Sequence, residues 1–179
     1  MRSWPVLLLL FALPGTVLAA PSEEDKLFAQ LHAVGSADEA RPIERKLDSL
    51  FKVSGSPSVD LLMVRARTAL STADTGTARK LLDAVTKVAP NYAEAWRARA
   101  QMQQAAGDDS GAMVSLQKAV AANPRQFEAM ADLADMLEQY GDKPGALKLY
   151  RRALALDPYL AAAERHEKAL AKEVEGQGI

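Results

Sequence analysis

The sequence repeats itself at an interval of 34 residues, and this interval restricts the possible folds more than any other feature. Proline, alanine and aspartate each return at that spacing through three consecutive segments. The recurring residues are Pro90, Pro124 and Pro158; Ala78, Ala112 and Ala146; Asp74, Asp108 and Asp142; and Ala66, Ala100 and Ala134. A repeat of this length is one supersecondary unit that buries its apolar face by stacking on its neighbours. The chain is therefore expected to form a linear array of similar units.

Each unit has the pattern of two amphipathic helices joined by a tight turn. In the third unit, apolar residues fall at i, i+3, i+4 and i+7 on the first helix and at i, i+4, i+7 and i+8 on the second, so each helix has one apolar stripe. These residues are Met130, Leu133, Ala134 and Leu137, followed by Ala146, Tyr150, Ala153 and Leu154. Between the two stripes, Gly141 can adopt the left-handed conformation that ends a helix, and Asp142 can cap the next one. Pro144 suits the first turn of that helix.

This pattern resembles the tetratricopeptide repeat. Three copies fit without a gap, at residues 59–92, 93–126 and 127–160. The second copy carries Trp96, Ala100, Gly107, Ala112, Leu116, Ala119 and Pro124 at consensus places; the departures are Arg65 and Arg99 for leucine, Gln103 for tyrosine and Ala73 for glycine. The resemblance implies an all-α fold, a right-handed α-solenoid of antiparallel helix pairs.

Helical segments flank the array on both sides. Residues 20–58 contain a helical pair that does not keep the repeat register, followed by a linker. Its apolar stripes are Leu27, Leu31 and Val34, then Ile43, Leu47, Leu50 and Phe51. We expect this pair to cap the front of the array, and Ser56 and Pro57 to begin the first repeat helix. Residues 161–179 are expected to form a C-terminal capping helix and a tail.

Residues 1–19 have the pattern of a cleaved signal peptide. Arg2 precedes an apolar run from Trp4 to Leu13, and Val17 and Ala19 supply the small residues that favour cleavage after Ala19. The run of about ten residues is half of the roughly 20 that a membrane-spanning helix needs. We therefore expect an exported protein, periplasmic or secreted, without a permanent membrane span.

Composition and motifs argue against several classes of function. The absence of cysteine excludes disulfides, thiolate zinc sites and thiol nucleophiles. A formal net charge of −1 leaves no electrostatic footprint for nucleic acid. His32 and His166 lie in opposite terminal segments, and neither belongs to a metal or catalytic motif. The segment 107–111 lacks the spacing and the lysine of a phosphate loop. We expect no cofactor and no metal, and an enzyme is the least favoured class.

The family resemblance also predicts a binding surface. In tetratricopeptide-repeat proteins the first helix of each pair lines a concave groove, and the inward-facing positions can be read from the repeat register. They are Asp60, Met63, Val64, Arg67 and Leu70 in the first copy; Glu94, Arg97, Gln101 and Gln104 in the second; and Glu128, Asp132, Asp135 and Glu138 in the third. The groove would run from apolar and basic to acidic. Alternatively, Met63 and Leu70 pack beneath the front helical pair.

Three of these residues, Asp132, Asp135 and Glu138, form an acidic cluster with helical spacing. A solvated acidic face is the favoured interpretation, a partner-contacting face the second, and a metal or catalytic carboxylate site the last.

The favoured function is a scaffold or adaptor that holds a peptide or helical segment of a partner protein, for instance one of envelope assembly. An acidic group of the partner would meet Arg67 or Arg97 and a basic group would lie near Asp135, because groove charges set orientation and specificity. The alternative is a structural protein that self-associates as a homo-oligomer.

Overall fold

A computed structural model describes residues 20–176, and this part of the chain contains nine α-helices and no strand. The helices are α1 (Glu23–Ala33), α2 (Ala37–Phe51), α3 (Pro57–Ser71), α4 (Thr75–Val88), α5 (Ala93–Ala105), α6 (Asp109–Ala122), α7 (Phe127–Gln139), α8 (Lys143–Leu156) and α9 (Ala161–Glu175). The predicted leader, residues 1–19, lies outside the described residues. Between residues 20 and 176, none of the helices combines the length and the apolar character needed to cross a bilayer.

The turns inside the three helix pairs have nearly the same geometry. Asp74, Asp108 and Asp142 each accept a hydrogen bond from the backbone N–H three residues later, at 3.0, 2.9 and 3.0 Å. The backbone N–H of each aspartate also donates to a carbonyl five residues earlier, at 2.8 Å. These contacts confirm the predicted cap at Asp142 and show the same cap at Asp74 and Asp108; each satisfies an N–H group that the helix itself leaves unpaired.

The residue before each capping aspartate has a positive φ angle. Gly107 and Gly141 have φ values of 77° and 86°, and Ala73 has 57° at the equivalent place. This conformation costs an L-residue about 1–2 kcal/mol, of which glycine's greater freedom in the unfolded chain offsets about 0.5–1 kcal/mol. The first turn is therefore strained by its alanine.

Replacing Ala73 with glycine should remove this strain. We expect the free energy of unfolding to rise by about 0.5–1 kcal/mol, since the strain relieved exceeds the entropy that glycine adds to the unfolded chain. The matched change Gly107→Ala should lower it by a similar amount. Urea unfolding monitored by circular dichroism measures both, and effects of the same sign would contradict the explanation.

The helix pairs pack small residues against large ones. Ala66, Ala100 and Ala134, one repeat apart, are all 0% exposed. With a methyl side chain they allow two helix backbones to come close, and larger side chains fill the remaining space. One apolar cluster joins α3, α4 and α5, and a second joins α5 to α9. Within the second, Ala163 and Leu170 bury the inner face of α9 against the last repeat, which confirms the capping helix.

The N-terminal pair α1–α2 packs against the third repeat. Phe28 and Phe51 lie edge-on to Phe127 at the start of α7, with ring centroids 6.3 and 6.1 Å apart. The shared cluster also contains Met130 and Ala153. The prediction that this pair caps the front was therefore wrong. Its aromatic side chains find an aromatic partner on α7, whereas α3 offers none.

As a result, the outer face of α3 stays open to solvent. Leu61 is 62% exposed on this first helix of the array.

A buried polar network replaces the apolar consensus in the second repeat. Ser115 Oγ donates to Gln103 Oε1 at 2.6 Å, and Arg99 Nη1 donates to Ser115 Oγ at 3.0 Å. Gln103 Nε2 donates in turn to the capping carboxylate of Asp108 at 3.0 Å. A buried polar group costs little when its hydrogen bonds are made, so Arg99 and Gln103 are tolerated where leucine and tyrosine are usual.

Candidate binding groove

The predicted inward-facing residues separate into two sets with different environments. The closed half contains Asp60, Met63, Glu94, Arg97, Glu128 and Asp132, which are buried or half-buried. The open half contains Val64, Arg67, Leu70, Gln101, Gln104, Asp135 and Glu138, which are half-buried or exposed and lie nearer the C-terminal ends of α3, α5 and α7.

Arg97 is the centre of an ion-pair network in the closed half. Its Nε lies 2.7 Å from Asp132 Oδ2, and its Nη1 lies 2.9 Å from Glu128 Oε2 and 3.9 Å from Glu94 Oε2. Only 18% of the Arg97 side chain is exposed. Gln126 Nε2 also donates to Glu94 Oε2 at 3.0 Å. The prediction that Arg97 receives an acidic group of a partner is therefore corrected, because three carboxylates of the chain already surround it.

Burial and charge oppose each other in this network. Burial raises the pKa values of Glu94, Glu128 and Asp132 above their ordinary range, although the Arg97 charge acts in the opposite direction. For Arg97 itself, burial acts to lower the pKa, and the charges of Asp132, Glu128 and Glu94 outweigh it and raise the pKa. The carboxylates thus depend on Arg97 for their ionised form.

Met63 and Glu94 are wrongly assigned to an open groove surface. Met63 is 0% exposed and belongs to the apolar cluster of α3, α4 and α5, against which Leu70 also packs. Glu94 is 6% exposed. The alternative that Met63 and Leu70 lie beneath the helical pair is also incorrect, since that pair packs on α7 and α8. Asp60 is engaged within the chain, because its Oδ1 accepts a hydrogen bond from the Ser54 N–H at 2.8 Å.

Arg67 is the basic group of the open half. Its side chain is 32% exposed, and its Nη1 lies 3.9 Å from Glu94 Oε1, too far for a hydrogen bond. Within residues 20–176 this buried Nη1 has no hydrogen-bond acceptor. The nearby Tyr92 hydroxyl donates to the Lys52 carbonyl at 2.7 Å, and burial raises the Tyr92 pKa to about 12. The exposed part of the Arg67 side chain is therefore what an external acidic group can reach.

The predicted acidic cluster is divided. Asp132 pairs with Arg97, whereas the Tyr150 hydroxyl lies 2.5 Å from Asp135 Oδ1 and 3.0 Å from Glu138 Oε2. Burial, followed by these hydrogen bonds to carboxylates, raises the Tyr150 pKa. His166 of α9 stacks on Tyr150 and places its Nδ1 2.8 Å from Glu138. The prediction of one solvated acidic face is therefore wrong for Asp132 and incomplete for the other two residues.

Sequence reasoning missed Gln126, Tyr150 and His166 as partners of the predicted groove residues. Tyr150 was recognised as part of an apolar stripe, but nothing in that stripe indicates where its hydroxyl points. Among residues 20–176 there is no cluster of three or more histidine, aspartate or glutamate side chains arranged to hold a metal ion.

Comparisons with known proteins agree with this architecture. A sequence model described as tetratricopeptide repeat matches residues 63–116 and 114–161. A TPR repeat-containing protein of Rhizobium etli is 30% identical over 93 residues, which make up 52% of this chain and 46% of that protein. The match therefore spans about half of the relative's own length.

Solved structures with the same fold are more distant in sequence. The Sgt2 TPR domain from Aspergillus fumigatus matches with a TM-score of 0.58 and 19% identity, over 67% of this chain and 81% of that one. The Yersinia enterocolitica type III secretion chaperone SycD, in complex with a peptide of the translocator YopD, matches with a TM-score of 0.60 and 15% identity, over 66% and 95%. At these identities the likeness shows the fold.

Proposed function

The chain belongs to the tetratricopeptide-repeat family, and from this premise we propose that it is an exported scaffold or adaptor that binds a peptide or helical segment of a partner protein in the open half of the groove. The bound segment would place an acidic group against Arg67 and a basic group near Asp135. Gln101 and Gln104 would lie between them and offer hydrogen bonds. The similar fold of SycD, solved with a translocator peptide, supports a protein partner.

The partial exposure of Arg67 carries this proposal. Most charged groups of the groove are engaged within the chain, whereas the Arg67 side chain is 32% exposed and its Nη1 lies 3.9 Å from Glu94 Oε1, too far for a hydrogen bond. A half-buried cation can give an incoming carboxylate a charge-assisted hydrogen bond, which is stronger than one between neutral groups. Val64, 53% exposed one turn earlier on α3, provides apolar contact beside it.

The proposed location is the periplasm or the cell exterior, and the partner would be a protein of the envelope. Support comes from the basic start, the apolar run and the small residues before position 20. Amino-terminal sequencing of the mature protein together with cell fractionation tests this. A protein that keeps Met1 in the cytosol would refute the location and leave the groove proposal intact.

Substitution of Arg67 tests the binding proposal. We expect Arg67→Gln to weaken partner binding about tenfold or more, because a hydrogen bond to a charged group contributes about 1.5–3 kcal/mol. Crosslinked capture from the envelope fraction would identify the partner, and calorimetry with its bound segment would measure the dissociation constant.

The matched control is Arg65→Gln, which removes the same charge from an exposed position on the same helix. It should bind like the wild type. Circular dichroism should show that both variants are folded. If they then bind the partner equally well, Arg67 is not part of the binding site and this groove assignment is wrong.

Self-association remains the alternative, and the open outer face of α3 favours it. Leu61 is 62% exposed on the first helix of the array, where another repeat could stack. Light scattering over a range of concentrations distinguishes an adaptor from a self-associating protein. The molar mass of an adaptor of this kind should stay that of a monomer, whereas the molar mass of a self-associating protein should rise with concentration.

A further inference from the structure

The N-terminal helices cover an apolar face at the end of the array. We define the docking face as Arg125, Phe127, Met130, Ala153 and Tyr159, which lie on or beside α7 and α8. Phe127 and Met130 are 2% and 1% exposed, and their cluster includes Phe28, Leu31 and Leu47 from α1 and α2. Removal of α1–α2 would leave this face as an exposed apolar patch beside the groove.

Polar contacts at the edge of the docking face fix the position of α1. The Arg125 Nη1 lies 2.7 Å from Asp25 Oδ1, and its Nε lies 3.1 Å from Glu24 Oε1. The Cζ atom of the Arg125 guanidinium lies 4.3 Å from the centre of the Phe28 ring. The Tyr159 hydroxyl donates to the Val34 carbonyl at the other end of α1. The face therefore selects a helix with acidic residues in its first turn and an aromatic residue one turn later.

The attachment of α1–α2 differs from the packing inside the array. In the described part of the chain the backbones of α1 and α2 come close to each other, whereas the apolar contacts of the pair with the repeats are made by side chains such as Phe28 and Phe51. The connection is the short segment 52–56, where Gly55 has a φ of 80° and Val53 is 61% exposed. The pair is thus a tethered ligand whose linker keeps its effective concentration high.

We infer that the docking face is a binding site for an amphipathic helix, and that the chain's own α1 occupies it and competes with such a helix from another protein. The partner helix would carry two acidic residues followed by an aromatic residue, as Glu24, Asp25 and Phe28 do in α1. This inference does not depend on the proposed function, because the docking face and the open half of the groove use different residues.

A labelled peptide of residues 22–51 tests the inference with the full chain. The variant Asp25→Arg/Phe28→Ala weakens the internal α1 and leaves the docking face unchanged. We expect it to bind the peptide at least tenfold more tightly than the wild type does, since loss of a buried phenylalanine weakens the tethered contact on the order of 100-fold. Fluorescence anisotropy gives the dissociation constants. Asp38→Arg is the control, because Asp38 is exposed and pairs with Arg41 within α2; this variant should exclude the peptide as the wild type does.

A charge exchange identifies the face that binds the peptide. Adding Arg125→Asp to the weakened variant should reduce binding of the natural peptide, and a peptide with Asp25→Arg should recover it. If circular dichroism shows that the Asp25→Arg/Phe28→Ala variant misfolds, the single variant Asp25→Arg replaces it. Asp25→Arg alone should also bind the peptide more tightly than the wild type does, by a smaller factor.

Three results would overturn the inference. The first is equal peptide binding by the wild type and the weakened variant. The second is a dissociation constant for the peptide that Arg125→Asp does not change. The third is a wild-type dimer that excludes the peptide, because a second copy would then hold the face.

Discussion

Replacement of Arg97 by methionine is expected to lower the free energy of unfolding by about 3 kcal/mol or more, since removing one partner of a buried ion pair leaves an uncompensated charge. Three carboxylates, those of Glu94, Glu128 and Asp132, lie within 3.9 Å of this guanidinium. Methionine retains the apolar stem and removes the charge and its hydrogen bonds. Urea unfolding at neutral pH measures the loss.

The loss should depend on pH in a defined direction. Burial already raises the pKa values of these carboxyl groups in the wild type. Without Arg97 the pKa values rise further, so above about pH 4 the folded variant binds more protons than its unfolded chain. Its stability should therefore increase as the pH falls from 7 towards 5.

The control is Arg79→Met, which removes an exposed arginine 3.8 Å from Asp83. It should cost at most about 1 kcal/mol, as exposed ion pairs do. An Arg97→Met variant as stable as this control, or one that loses stability on mild acidification, would contradict the network.

The repeat array could be predicted from the sequence because its determinants are local. Asp74, Asp108 and Asp142 cap helices through contacts three residues away, and Ala66, Ala100 and Ala134 mark the close helix crossings. Such features appear directly in the spacing of residues along the chain. The sequence showed that Arg99 and Gln103 depart from the repeat consensus. It did not show that Ser115 forms hydrogen bonds with both of them.

The engagement of the groove residues depends on contacts between neighbouring repeats. The repeat register correctly indicates which helix face looks inward, but it does not indicate which side chains are free. Arg97 pairs with Asp132 and Glu128, 35 and 31 residues later, and Arg67 lies near Glu94. The sequence did contain a signal for these ion pairs, namely opposite charges about one repeat apart on the first helices of adjacent repeats. Such charges indicate that the two side chains pair with each other within the chain instead of binding a ligand.

The position of α1–α2 had no comparable signal. Its contacts with Arg125, Phe127 and Tyr159 join residues about 100 positions apart, outside the repeat register. An amphipathic stripe shows that a helix has a face to bury, but several apolar surfaces can accept it. The choice was decided by three aromatic rings and one arginine, a combination visible once the chain is folded.

Phe127 joins the helical pair to the array, so Phe127→Ala should be the most damaging apolar truncation at this junction. The ring is 2% exposed and contacts both Phe28 and Phe51 edge-on. Loss of a buried phenylalanine costs about 3–5 kcal/mol, and aromatic pairs add about 0.5–1.5 kcal/mol to area burial. We expect a stability loss of about 4 kcal/mol in urea unfolding, with faster amide exchange in α1, α2 and α7.

Phe127→Leu separates the aromatic contacts from simple burial. Leucine keeps most of the apolar surface, so this variant should lose about 1–2 kcal/mol, and its faster exchange should be confined to α1 and α2. Because α7 also packs against α8, its own amides should stay protected. If exchange in α1 and α2 did not change with either variant, Phe127 would stabilise α7 alone and the helical pair would be held by other contacts.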